Sequence, residues 1–150
     1  MMNIVLYKPD IPQNTAAIIR LSACLSLKIH IIEPCGFNLN DSRFRRVAMD
    51  YIELSQITRY PDYESFIKKN LKSRIILMTT KSKKFYHQFK FKQNDFLFFG
   101  RESVGVPNEI HEKIKNKLKV PLSGKARSLN VAMTVAIVAS EALKQNNFFK

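Results

Sequence analysis

Acidic residues are scarce in this chain of 150 residues: 12 Asp and Glu stand against 25 Lys and Arg, a formal net charge of +13. That balance points to a polyanionic partner, nucleic acid ahead of a membrane surface, since no helix pairs a basic face with a bulky apolar one. An A+T-rich coding bias explains the excess of lysine, but not the shortage of acids. Cysteine is scarce too. Cys24 and Cys35 form no metal or redox spacing, and Cys24 falls on an apolar helix face, where a buried free thiol is expected. His30, His87 and His111 are scattered, so no metal site is expected. No apolar run approaches the ~20 residues needed to span a bilayer, and the start lacks a signal-peptide layout. These absences describe one soluble cytoplasmic domain over residues 1–150, with no membrane partner.

Several reaction classes are also missing their signatures. Gly100 and Gly105 have the spacing of a phosphate loop, but Val106 and Pro107 follow where Lys and Ser/Thr are required. No G-x-G-x-x-G opens a helix after a strand, there is no G-x-S-x-G, and no close carboxylate pair is visible.

What is present is a βα rhythm. Short, nearly continuous apolar runs at 3–7, 28–33, 74–79, 95–99 and 118–122 read as strands buried on both faces. Residues 14–26, 62–71, 108–117 and 129–144 read as helices, and the stretch from Gly36 to Thr58 is unassigned. The alternation predicts an α/β fold with a mostly parallel sheet covered by helices on both faces. In the first helix Ala17, Ile18, Leu21, Cys24 and Leu25 share a face, Asn14 is placed to cap the start, and Arg20 flanks the face. There Arg20 is either a cation held in a cleft or a plain surface residue. The last helix is apolar all round, so it is enclosed by its own sheet and loops or by a second subunit. Ser128 is its expected N-cap, and its free amides would lie beside Ser128 and Asn130, ready for an anionic group.

Three motifs carry the chemistry. Asn14 precedes Arg20 by six residues within IPQNTAAIIR, and Gly100-x-Glu102-x-x-Gly105-x-Pro107 follows the strand at 95–99. The third is Ser128-Leu129-Asn130, which opens an Ala/Val-rich helix ending in Glu141. Together, in this order, they resemble the SpoU branch of the SPOUT RNA methyltransferases. The segments NIVLYKPDIPQNT, IHIIEPCGF and RFRRVAMDY extend the resemblance over roughly residues 3–143, to members that modify the wobble nucleoside of tRNA.

The resemblance implies a C-terminal trefoil knot, an obligate homodimer and S-adenosyl-L-methionine as cofactor, contacted at Met78, Thr79, Gly100, Val120, Leu122 and Ser128. It implies 2'-O-methylation of C or U at the wobble position, with the tRNA anticodon stem-loop as partner. The reacting set would be Asn14, Arg20, Glu102, Ser128 and Asn130, with Glu102 pairing Arg20, bracing the cofactor loop or serving a purely structural role. A guanidinium stays charged, so Arg20 is expected to bind a phosphate and polarise the hydroxyl, while phosphate or water takes the proton. Phe37 and Phe44 either stack on a loop base or pack in the core. Ala16 and Ser140 depart from the family pattern, which has Gly and an aromatic residue there. Action on ribosomal RNA or a base nitrogen, and a non-catalytic RNA-binding dimer, remain the alternatives.

Overall fold

Strand β1 (Asn3–Tyr7) is buried along its whole length, which is what its uninterrupted run of apolar side chains requires. Successive residues point to opposite faces: Ile4 and Leu6 enter one core cluster, Val5 and Tyr7 another. In the computed structural model, which describes residues 1–53 and 55–150 and leaves the Met49 side chain aside, six parallel strands form one sheet. After β1 come α1 (Pro12–Cys24), β2 (Lys28–Ile32), α2 (Ser42–Ile52), β3 (Gln56–Tyr60) and α3 (Tyr63–Lys69). The second half holds β4 (Ile75–Met78), a 3-10 turn (Tyr86–Gln88), β5 (Phe96–Phe99), α4 (Asn108–Lys113), β6 (Asn116–Leu118) and α5 (Val131–Gln145).

The strand order is β3-β2-β1-β5-β4-β6. The chain winds one way from β1 and the other way from β5, so the two central strands meet at a topological switch point. Ligands of open α/β sheets bind beyond the C-terminal strand ends at such a point. Helices α1 and α5 cover one face and α3 and α4 the other, while α2 packs outside α1 through Phe44 and Ala48.

Four expectations need correction. The unassigned stretch holds α2 and β3, so the sheet has six strands where five apolar runs were read. The helix expected over 108–117 stops at Lys113, because Ile114 is already extended, and Asn116–Leu118 pairs with β4. The strand expected to reach Leu122 leaves the ladder at Lys119, whose N–H bonds Lys84 O instead. Cys24 is exposed and is not the buried thiol expected. In α1 the buried set includes Asn14, Thr15, Ala16, Ile18, Ile19 and Ser22, which turns the inner face toward α2 and leaves Ala17 outside. Phe37 and Phe44 pack against each other with ring centroids 5.2 Å apart, and Phe44 is in the core.

Candidate active site

The loops after β1, β4 and β5 and the chain from β6 to α5 enclose a cavity of about 480 Å³ at the switch point. All six residues expected to hold a cofactor line it: Met78, Thr79, Gly100, Val120, Leu122 and Ser128. Asn14, Glu102 and Asn130 line it as well. Arg20 does not. It lies exposed on α1, about 9 Å of helix rise beyond Asn14 at ~1.5 Å per residue.

Local sequence explains the loop after β5. A Cβ on Gly100 would stand 2.7 Å from the Gly105 carbonyl carbon and 2.8 Å from its Cα. The glycine is thus required by the loop's own backbone. Gly105 has φ +69°, and Arg101 and Gly105 exchange two backbone hydrogen bonds across the turn. The knuckle projects Glu102 toward α1 and Val104 into the open.

Both helix caps differ from expectation. Pro12, with its fixed φ and no N–H, occupies the first turn of α1 behind Ile11, so Asn14 is no cap. Asn130, not Ser128, caps α5: its Oδ1 accepts from Ala132 N at 2.8 Å and Met133 N at 3.3 Å.

The shift at α1 frees Asn14, and capping leaves Asn130 Nδ2 free, so the two asparagines join a relay. Asn130 Nδ2 donates to Asn14 Oδ1 at 2.8 Å, Asn14 Nδ2 donates to Glu102 Oε1 at 3.4 Å, and Glu102 Oε2 accepts from Asp10 N at 2.9 Å. Glu102 thus ties its loop to Asp10 and to α1, and makes no ion pair with Arg20. Asp10 completes the bracket, accepting from Ser103 Oγ and lying 3.4 Å from Arg101 Nε. Burial, then the Asp10 carboxyl, push the Glu102 carboxyl up, while Asp10 falls to about 2, chiefly through its hydrogen bond with Glu102. The bond between the two residues runs through the Asp10 backbone N–H. It joins residues 92 positions apart, which no local spacing announces. His111 was also missed: it lines the cavity with Nε2 3.4 Å from Thr79 Oγ1, and burial, with Lys117 and Lys81, lowers its basicity.

Not all of the basic surface is free. Arg74 lies in a bidentate pair with the buried Asp95, at 2.7 and 2.5 Å, so its charge is neutralised. Among the described residues no group of His, Cys, Asp or Glu could hold a metal ion, and no helix is long and apolar enough to cross a membrane.

A cavity at the switch point of an open parallel sheet, ringed by glycine turns and a capped helix start, defines an α/β protein built around a small-molecule ligand. The profile of the SpoU rRNA Methylase family matches residues 1–140, and the chain belongs to that family. It is 41% identical over 144 residues to a tRNA (cytidine(34)-2'-O)-methyltransferase of Beijerinckia indica, covering 95% of this chain and 90% of that one. The protein of the same name from Escherichia coli K12 is 39% identical over 147 residues, covering 97% and 94%. A solved structure presented as "Structural insights into the 2-OH methylation of C/U34 on tRNA" superposes with TM-score 0.94 at 32% identity, covering 98% of this chain and 97% of the other.

Proposed function

We propose that this protein transfers a methyl group from S-adenosyl-L-methionine to the ribose 2'-hydroxyl of C or U at position 34 of tRNA. The observation that carries the reading is the meeting at one cavity of residues from all three motifs, Asn14 from the first, in a chain about 40% identical over its length to enzymes named for that reaction. The cavity suits the cofactor. Its volume lies in the ~300–1,000 Å³ range of small-molecule sites. Met78, Val120 and Leu122 supply apolar walls, and the α5 start offers backbone N–H groups and the positive end of a dipole to a carboxylate. Bound there, S-adenosyl-L-methionine supplies an electrophilic methyl on a sulfonium.

The chain's own residues do the rest. Asn14 and Asn130, locked by the relay from Glu102, hold the ribose edge of the site in a near-attack arrangement. Arg20 binds the phosphate beside the target ribose and polarises its hydroxyl, and phosphate or water accepts the proton. Ser128 contacts the cofactor from the loop before α5. Exposed cations such as Lys81, Lys83, Lys125 and Arg127 grip the anticodon stem-loop through its phosphates, so affinity falls with salt.

The working unit is a homodimer. Ile11, Val104, Leu129 and Met133 leave large apolar side chains 40–75% exposed, and the first three line the cavity mouth. A second copy of this chain covers them. Met133→Asp is expected to sediment as a monomer; sedimentation identical to wild type removes this rim from the interface. The trefoil knot falls where residues 119–130 pass the loop 79–85, and the protein works in the cytoplasm.

Incubation with labelled cofactor and unmodified tRNA is expected to put label on the ribose of nucleotide 34. Cofactor binding without label in the RNA contradicts the reading. Label on a base, or on ribosomal RNA alone, moves it to another reaction of the family.

A further inference from the structure

Among the described residues Arg20, like Arg45, Arg46 and Arg127, has no carboxylate partner, and of these four it alone lies over an aromatic ring. Arg43, Arg59, Arg74 and Arg101 each pair with a carboxylate: Asp41, Glu33, Asp95 and Asp10. Arg20 makes no ion pair or hydrogen bond among the described residues. Its guanidinium carbon instead lies 5.1 Å from the centroid of the Tyr51 ring, within the range of a cation–π contact. Arg74 shows the contrast. It also stacks on a ring, Phe89, but its donors are committed to Asp95 and to Lys90 O.

Tyr51 is itself placed by the packing of α2 on α1. Phe44 and Ala48 of α2 bury against Ala16 and Ile19 of α1, and Tyr51 and Ile52 pack on the same cluster. Ser55 then ties the two helices together: its Oγ lies 2.6 Å from Tyr51 O and 3.3 Å from Ile19 O, one residue before Arg20. The ring is thus fixed relative to the backbone that carries the arginine.

We propose that Tyr51 is a positioning residue for methyl transfer: its ring orients the Arg20 guanidinium while leaving all of its N–H donors free for RNA. This rests on the role given to Arg20 above. A carboxylate partner would fix the guanidinium as well, but would occupy the donors and neutralise the charge that a phosphate must meet. A ring face attracts the cation through its quadrupole and takes none of the donors. Segment α2, the part of the chain least legible in sequence, thereby becomes part of the reacting apparatus.

The test uses the full-length protein with single-turnover transfer to tRNA, cofactor affinity, and the NMR signal of the Arg20 Nε–H. Tyr51→Leu keeps the bulk and loses the ring; Tyr51→Met, an adaptable filler, replaces it if leucine does not fold. Transfer is expected to slow about tenfold, in line with a partly desolvated cation–π contact. Cofactor affinity should stay within about twofold, as for a group outside the cofactor cavity. The Arg20 Nε–H signal should move, having lost the ring current. Tyr51→Phe, which keeps the face, should restore both rate and signal. Wild-type transfer by Tyr51→Leu overturns the proposal, and so does Tyr51→Phe as slow as Tyr51→Leu. Should Arg20→Ala itself transfer normally, the role of Arg20 fails while the stacking read by NMR still stands.

Discussion

Two polar networks cross this apolar sheet, and they are finished differently. Around His30 everything is closed: Nδ1 lies 2.9 Å from the Tyr60 hydroxyl, Nε2 3.0 Å from Asn3 Oδ1, and the ring packs on Tyr60, Phe66 and Phe96. Around Glu102 the relay runs through Asn14 to Asn130 but opens on a cavity, and beside it Asp10 Oδ1 and Arg101 Nε are buried without a hydrogen-bond partner. A closed network stabilises one packing of the core; one left incomplete at a cavity wall has capacity for a ligand. The first is closed architecture, and the second is the one to which the proposed function assigns a role.

Substitutions should separate the two. The largest effect is expected at Arg20→Ala, where loss of the cation at developing charge should slow transfer by about 10²–10³-fold with little change in cofactor affinity. A large affinity loss would make Arg20 a cofactor ligand instead. Next comes a stability effect confined to the closed network. Burial, then Lys28, depress His30 to about 4 from an ordinary 6.5. The unfolded chain therefore takes up a proton first as pH falls. The stability present above pH 6.5 is lost on the way down to pH 4, by on the order of 3 kcal/mol. Denaturant titrations across that window should show the slope in wild type and a flatter profile in His30→Leu; the same slope in both excludes His30 as its source. The smallest effect falls on the open network. Asn130→Ala removes the α5 cap and should cost about 1 kcal/mol by denaturant midpoint. Because it also cuts the link to Asn14, its transfer rate should fall by more than that loss of stability explains. A rate equal to wild type would remove the relay from the mechanism.

Legibility in sequence followed the same division. Central strands were readable because burial on both faces leaves continuous apolar runs such as Phe96–Phe99. Edge strand β3 was not, since Gln56–Tyr60 is largely exposed and has no such run. Helix α2 was hidden by its arginines: only Phe44 and Ala48 mark its buried side among the described residues. The cavity lining was legible at Gly100 and Ser128 through motifs, while Met78, Thr79, Val120 and Leu122 followed only from the family resemblance. The relay was not legible, because Asn14, Glu102 and Asn130 are joined only when distant loops close over the strand ends. Both caps were misplaced by a few residues, as Ile11, ahead of Pro12, and Asn130 took the cap positions from the residues that local rules favoured. That misplacement hid the two asparagines' real partners.

The most direct test of the central claim is the amide NMR spectrum of the protein titrated with S-adenosyl-L-methionine. Shifts should concentrate at residues 78–80, 100–106, 118–122 and 128–133, while amides around Asn3, His30 and Tyr60 stay in place. A spectrum that does not change at saturating cofactor, or one that changes mainly around His30, would contradict the assignment of the cavity as the methyl-donor site.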